Sequence, residues 1–508
     1  MDSVLERTLN MYYLGIDFGT TGVRAGLYDK GGTEIGFSSV SYETKSEKAG
    51  FAEQSPEDWW NALGKATREL LEKTSTSSWE VVSLAVDFHS CSVMLCHRDG
   101  SPLRDCLIWM DVRAAAESDE INSATGESLS PEWMPAKLLW LKRNEPKLYE
   151  QAEVFCEAED WINYMLTGVW SININCSVNW GYNSENHCFS KPFYDRIGMP
   201  EAIGKFPSEH VFAVGDRIGT LTESASRHLR LSPDTLVACG GIDSSIGILG
   251  MGAAEEGKLA LCTGSSNLAM VLTKKPLFNL NGVNLGPNHL VSGYYTDYRG
   301  QTASGSIIQW AKKTLYSELA SDTAYQIMDE EASHIPVGSD GLIVLDYFQG
   351  NKHPYLDGSV RGMVYGLSLS HTRAHIYRAI LEGICYETAH LLKQFGDGGR
   401  PIHEICLSGG FANSKLLLSI LADVCGVVVH VPENSQCSCL GSGIVAATAA
   451  GAWSDLQEAS KNMTRFYLTV YPSEDNRLKY EKLFSLYLNT YPELKQYFNE
   501  VSAVFRSL

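Results

Sequence analysis

Three aspartates stand where apolar runs end and small polar residues begin. Asp17 follows "YLGI" and precedes "FGTTG"; Asp87 closes "WEVVSLAV"; Asp243 follows "TLVACGGI" and precedes "SSIGILG". Glycines let the backbone approach a ligand closely and take positive φ. Successive backbone N–H groups in such a turn form a concavity that holds phosphate oxygens. Thr20 and Thr21 add hydroxyl donors to the first turn, and Asp17 beside it could hold the cation that neutralises the same phosphate. The pattern of strand and Gly/Thr/Ser turn recurs at "LALCTGSS", residues 259–266. Taken alone, the stretch at residue 17 reads equally well as a polar hairpin turn.

The elements that must position these residues follow from local pattern. Residues 12–16 and 23–28 read as two strands of a hairpin whose tight turn is "GTTG", and Asp29-Lys30-Gly31-Gly32 supplies the next turn. "SPEDWWNALGKATRELLEK" predicts a helix with Ser55 as N-cap, Pro56 in the first turn and Glu57 and Asp58 near its positive end. "PAKLLWLKRNEPKLYEQA" and "AEDWINYMLTG" read as helices, and residues 205–236 as loop-rich. After them a strand reaches Gly-Gly, Asp243 follows, and a helix turns away. "IHEICLSGGFANSKLLLSILADVCG" repeats strand, glycine turn, helix; "SCLGSGIVAATAAGAW" is a small-residue helix suited to close packing. "DNRLKYEKLFSLYLNTYPELKQYFNEV" predicts an amphipathic helical tail that packs on the second domain. The repetition points to two similar α/β halves facing one cleft, with a boundary near 245–255.

Composition narrows the partners. The chain has 508 residues, 44% of them hydrophobic, enough for two or more domains. A net charge of −19 without a basic run argues against nucleic acid and anionic membranes. No apolar run approaches the ~18–20 residues of a membrane span. "MDSVLERTLNMYYLG" has no apolar signal core, so a cytoplasmic location is expected; residues 1–10 read as a loose extension, and Met11 could equally be a start. The thirteen cysteines show no repeated spacing and read as reduced thiols. Two near-motifs are set aside. "GAAEEGKL" (252–259) has Leu259 where a phosphate loop needs a hydroxyl, and "GSGIVA" (441–446) reads as the start of a small-residue helix.

Together the glycine turns are more specific than any one alone, and over nearly its whole length the chain resembles the FGGY family of carbohydrate kinases. "GIDFGTTGVRAGLYD" and "CTGSSNLAM" resemble its two phosphate motifs, and "GGIDSSIGILG" its catalytic-aspartate segment. "GQTASGSIIQW" and "LSGGFANSKLLLSILADVCG" resemble its ATP-binding segments. "VDFHSCSVML" and "DYFQGNKHPYLD" look most like the ribulokinase branch. The resemblance implies an α/β, duplicated actin-like (ribonuclease H-like) fold, two domains around a central cleft. It divides the chain into an N-terminal domain at 11–250 (sugar and phosphate side) and a C-terminal domain at 251–508 (ATP side, with the helical tail).

It further implies Asp243 as general base, with an N-cap of the following helix as its structural alternative, and Asp17 near Mg2+. Thr20, Thr21, Arg24, Thr263, Gly264 and Ser265 would surround the phosphates of ATP. Gly305 and Gln309 would lie on the ribose and phosphate side, and Gly409, Gly410 and Asn413 beside the adenine. Asp87, His89, Trp133, Asp243 and Tyr298 would meet the sugar. Two departures from ribulokinases bear on the substrate. Tyr298 in "YRGQTASG" stands where they carry Glu, and Asn179 in "NCSVNWGYN" where they often carry Lys. The function expected is ATP-dependent phosphorylation of a small sugar, a pentulose first and a short polyol second. A non-catalytic sugar or nucleotide sensor on the same fold is the alternative from another class. Homodimerisation is left open.

Overall fold

The computed structural model describes residues 11–276, 283–320 and 323–507. The described chain gathers into two compact units. Unit 1 comprises Met1–Gly250, Leu285–Tyr295 and Gln436–Arg465; unit 2 comprises Met251–Asn284, Thr296–Ser435 and Phe466–Leu508. The segments 285–295 and 436–465, which the sequence reading grouped with the C-terminal domain, therefore belong with unit 1.

Unit 1 is built on a six-stranded sheet of β1 (Tyr12–Gly19), β2 (Gly22–Tyr28), β3 (Glu34–Ser41), β4 (Val81–Phe88), β5 (Arg217–Thr220) and β6 (Leu236–Ile242), in the order β5-β6-β4-β1-β2-β3. β1 and β2 form the expected hairpin, closing at Gly19↔Gly22. β4 and β6 add parallel to β1 and to each other, so that the acids ending β1 and β4 come into register as Asp17↔Asp87. The helix Pro56–Thr74 starts on Ser55, whose hydroxyl accepts from the Asp58 N–H. It buries Trp59, Leu63, Ala66 and Leu70. Phe18, Phe88 and Trp59 lock sheet and helix together, with Phe18 and Phe88 stacked at 4.7 Å and Trp59 edge-on to Phe88 at 4.8 Å.

The small-residue helix Cys437–Ala449 lies against β1. A Cβ at Gly15 would fall 1.9 Å from the Cys439 carbonyl oxygen, so the close approach requires the missing side chain. Ser83 Oγ donates to the Ala446 carbonyl at 2.7 Å, and Ser442 Oγ donates to Asp87 Oδ2 at 2.7 Å. "GSGIVA" is thus a packing surface. A second apolar cluster in unit 1 gathers Leu95, Leu138, Phe155, Trp180, Tyr194 and Phe206.

Unit 2 repeats the topology. Its strands are β7 (Lys258–Thr263), β8 (Asn267–Thr273), β9 (Val283–Leu285), β10 (Tyr295–Gln301), β11 (Glu404–Gly409), β12 (Val428–Pro432) and β13 (Phe466–Val470), in the order β9-β10-β8-β7-β11-β12-β13. β7 and β8 form the hairpin, β11 and β12 add in parallel, and β13 closes the edge antiparallel. Strand for strand this is the order of unit 1, with β9 added. Lys258 pairs with Glu255 at 3.2 Å and Glu404 at 3.5 Å, so "GAAEEGKL" spends its lysine on carboxylates. The tail forms the helix Glu474–Ser507 and sends Tyr480, Tyr487 and Tyr491 into the unit 2 core.

Candidate active site

The first site cluster lies wholly in unit 1. Asp17 is buried, and its Oδ2 accepts from Arg24 Nη1 at 2.7 Å. Arg24 is the cross-strand partner of Asp17, so the hairpin register creates the pair. Arg24, expected beside phosphate, pairs with this carboxylate because the antiparallel register brings the two side chains together. Asp87 is fully buried, with Oδ2 held by Ser442 and Oδ1 lacking a hydrogen-bond partner. Burial first, and the nearby Asp17 charge second, raise its pKa well above the ordinary carboxylate range. The parallel register sets Asp87, expected to meet the sugar, beside Asp17, with its Oδ2 on Ser442.

Asp243 opens the helix Asp243–Gly250, and its Oδ1 accepts from the Ser244 N–H at 2.6 Å. Burial, then the charge of Asp17, push its pKa up to about 7, against the lowering effect of the Ser244 bond. As the first residue of its helix Asp243 accepts from the very next N–H, which is not the N2 or N3 contact of an N-cap.

The turn between β1 and β2 is held from outside. Gln54 Nε2 donates to the Thr20 carbonyl at 2.7 Å, Trp109 Nε1 donates to Thr20 Oγ1 at 3.0 Å, and the Tyr42 hydroxyl donates to the Gly19 carbonyl. Thr21 is exposed. Trp59 Nε1 donates to Gln54 Oε1 at 3.0 Å, and His89 Nε2 lies 3.3 Å from the same oxygen. An indole only donates, so the Gln54 amide has one orientation and His89 Nε2 carries the proton. Burial lowers the His89 pKa to about 3, which keeps the ring neutral. Trp133 is half-buried and packs against the second apolar cluster. Tyr42, Gln54, Trp109 and Ser442 were not singled out in the sequence. The only signal was Gln54 preceding the helix cap in "EQSPEDWW".

The second cluster lies wholly in unit 2. A cavity of about 440 Å³ is bordered by Gly264, Gly305, Gly410 and Asn413, four residues expected around the nucleotide. Ile308, Phe411 and Leu417 give it apolar walls, Tyr325 and Tyr377 aromatic ones. Asp329, unforeseen in the sequence, faces it and accepts from the Tyr377 hydroxyl at 3.0 Å. Mostly apolar walls with a few fixed polar groups suit a planar base. The N–H of Gly305 donates to the Gly264 carbonyl at 3.0 Å, tying the "TGSS" turn to the helix Gly305–Leu315. Ser265 is exposed on that turn; Gln309 is exposed and does not border the cavity.

Thr263 differs from expectation. Its hydroxyl donates to the Ser408 carbonyl at 2.7 Å and accepts from the Phe411 N–H at 3.2 Å. The parallel pairing Thr263↔Gly409 puts those backbone groups within reach, so the hydroxyl joins two glycine turns instead of pointing a donor at phosphate. Gly409 has φ of 95°, and a Cβ there would sit 1.9 Å from the Thr263 carbonyl oxygen. Tyr298 is half-buried on β10.

Among the described residues no three His, Cys, Asp or Glu side chains form a metal cage. A hard divalent cation bound through one or two carboxylates completes its shell from phosphate and water, and Asp17, a buried carboxylate whose Oδ2 takes the Arg24 bond, fits that kind of site. No helix of the described residues is long and apolar enough to cross a membrane.

Two sheets of like strand order, each with a glycine-turn hairpin, define a protein of the duplicated actin-like, ribonuclease H-like class. The N-terminal domain of the FGGY family of carbohydrate kinases matches residues 12–250, and the C-terminal domain of that family matches residues 259–450. The chain belongs to the FGGY family of carbohydrate kinases. It is 27% identical over 492 residues to a xylulose kinase of Bacillus subtilis (strain 168), covering 95% of this chain and 97% of the relative. It is likewise 27% identical over 544 residues to a ribulokinase of Geobacillus thermodenitrificans (strain NG80-2), covering 96% and 94%. The crystal structure of a xylulose kinase from Rhodospirillum rubrum superposes with a TM-score of 0.84 at 26% identity, over 96% of this chain and 100% of that one. Relatives of both names match at the same identity, so the ribulokinase branch is not singled out. As a kinase of this family the protein uses ATP with a divalent metal to phosphorylate a sugar.

Proposed function

We propose that the protein phosphorylates a pentulose, with Asp243 as general base and Mg2+ as the metal. The observation that carries the reading is Asp243 itself, a helix-opening carboxylate whose surroundings raise its pKa to about 7. The sugar hydroxyl attacks the γ-phosphorus of ATP and passes its proton to the Asp243 carboxylate. The bond from the γ-phosphorus to the β,γ-bridging oxygen breaks, and ADP leaves. Positioning and charge neutralisation account for most of the rate in such transfers. Asp17 would hold the Mg2+, which would supply neutralising charge at the phosphates. Arg24 fixes the Asp17 carboxylate, Gln54 and Tyr42 hold the turn that presents Thr20 and Thr21, and the unit 2 cavity takes the base. Neutral His89 is suited to hydrogen bonding with a sugar and not to proton transfer. The xylulose kinase and ribulokinase relatives support a pentulose; a short polyol is the second reading.

Sugar-dependent ADP release across the pentuloses and short polyols tests the activity; its absence for all of them would favour a sensor. Asp243→Asn tests the base. Turnover should fall about 10²–10⁴-fold with ADP affinity unchanged, and near-normal turnover at neutral pH would remove Asp243 from the mechanism.

A further inference from the structure

The strand that delivers Asp243 is irregular. β6 pairs with β4 as Ala238↔Ala85 and next as Gly241↔Asp87, so three steps on β6 answer two on β4. One extra residue is the signature of a bulge, which bends a strand and re-aims the side chains beyond it. Two asparagines of "NIN" take backbone groups of this stretch. Asn173 Nδ2 donates to the Gly240 carbonyl at 2.8 Å, and the Ile242 N–H donates to Asn175 Oδ1 at 2.7 Å. Ile242 is the residue immediately before Asp243.

Asn175 is fully buried and each end of its amide is committed. Because Oδ1 accepts from Ile242, Nδ2 must be the end that donates to the His289 carbonyl at 2.7 Å, with His289 Nδ1 at 3.2 Å. The Asn175 N–H donates to Asn173 Oδ1 at 2.8 Å, and Asn173 Nδ2 also reaches the Glu159 carboxylate at 2.8 Å. Asp243 is thus reached from a chain of buried polar contacts running through Glu159, Asn173, Asn175 and the segment Leu285–Tyr295. A buried network with its members satisfied rigidifies what it holds.

We propose that Asn175 is a positioning residue for the phosphoryl-transfer base: by occupying the Ile242 N–H it fixes the bulge of β6 and the direction in which Asp243 leaves the strand. The inference rests on the reading of Asp243 as base. A side chain here must accept on one side and donate on the other, which an amide does and a carboxylate or an aliphatic group does not.

The test uses whichever of D-xylulose, L-xylulose, D-ribulose and L-ribulose the full chain phosphorylates with the highest kcat/KM. Asn175→Ala should lower kcat by about 10²-fold with the KM for ATP within about twofold of wild type, the loss that roughly 1 Å of misplacement produces. In an Asp243→Asn background the same substitution should cost nothing further, because residues acting through one group are non-additive. Gly241→Ala approaches the contact from the other side, since its Cβ would lie 2.7 Å from Asn175 Oδ1. It should reproduce the same pair of results, and it answers the question if Asn175→Ala does not fold. Equal losses with and without Asp243, or unchanged kcat in either variant, would overturn the positioning role. Full activity of Asp243→Asn would instead remove the base reading and the inference with it.

Discussion

Asp17 and Asp87 face each other as register partners on the parallel strands β1 and β4, two carboxylates within one buried pair of strand ends. Like charges so placed do not both ionise freely. Arg24 compensates Asp17 at 2.7 Å, whereas Asp87 has only the Ser442 hydroxyl on Oδ2 and nothing on Oδ1. A proton on Asp87 Oδ1 gives that atom an acceptor in Asp17 and relieves the repulsion. The raised pKa of Asp87, from burial first and Asp17 second, agrees with this.

Asp87→Asn should therefore fold at least as stably as wild type, and its advantage should grow as pH rises. A group whose folded pKa lies above its unfolded value loses stability with rising pH, and the amide removes that loss. Asp87→Ala should lose about 1–3 kcal/mol by stranding the buried Ser442 hydroxyl. Thermal unfolding at pH 6 and pH 8 separates the two; an Asn variant melting well below wild type at pH 8 would contradict the shared proton.

On the proposed role of Asp243 as base, the pH–rate profile should report its titration. With its pKa at about 7, kcat/KM should fall as pH drops through that value, approaching about tenfold per unit below it. Asp17→Asn removes the neighbouring negative charge and should move any residual activity's acid limb to lower pH. A flat profile from about pH 5.5 to 8 would be incompatible with a carboxylate base of this kind.

Two buried glutamates beside the sheet of unit 1 set a pH dependence of stability. Glu157 accepts from the Ser92 N–H at 2.9 Å, the Ser92 hydroxyl and Trp180 Nε1 at 3.1 Å; Glu159 accepts from Asn173 Nδ2 and Cys176. Burial nevertheless raises both pKa values to about 7. Between the unfolded value and about 7 the folded state binds more protons, so unfolding free energy should decline as pH rises through that window, by roughly 3 kcal/mol per group. Glu157→Gln should flatten part of the slope in urea titrations at pH 5, 6 and 7. An unchanged slope would assign the dependence elsewhere.

The junction of Thr263 and Gly409 should govern nucleotide binding indirectly. Thr263→Val leaves the Ser408 carbonyl and the Phe411 N–H without their shared partner, at a cost of about 1–3 kcal/mol. Gly409→Ala adds a Cβ where none fits, at positive φ. Both should weaken ADP binding, measured by calorimetry, while leaving the melting of unit 1 in place. Unaltered ADP affinity in both would separate these turns from the nucleotide site.

The proposed sugar contact of Tyr298 makes a prediction about substrate choice. A carboxylate accepts two hydroxyls, whereas a phenol offers one neutral donor–acceptor, and sites that pair polar groups discriminate steeply. L-ribulose should be a poorer substrate than another pentulose or a short polyol, and Tyr298→Glu should raise its relative kcat/KM. A clear wild-type preference for L-ribulose would show that Tyr298 and Asn179 do not set specificity.

Much of the frame was legible from local chemistry. Apolar runs and turn residues announced the β1–β2 hairpin, Ser55 and Pro56 announced the start of the helix Pro56–Thr74, and Gly-Gly-Ile-Asp announced a strand delivering an acid to a helix. Four of the residues expected around the nucleotide border one cavity. These signals act over a few residues and survive in the linear chain. Which hydroxyl or guanidinium is already occupied is decided by partners far away in sequence. Thr263 meets Ser408, Asp87 meets Ser442, and the residue before Asp243 meets Asn175. The same holds for residues 285–295 and 436–465, which local pattern grouped with the second half and packing returned to unit 1. Capping, periodicity and turn propensity determine elements. The partner of a buried polar atom is determined by register and close approach, which exist only once the strands have paired.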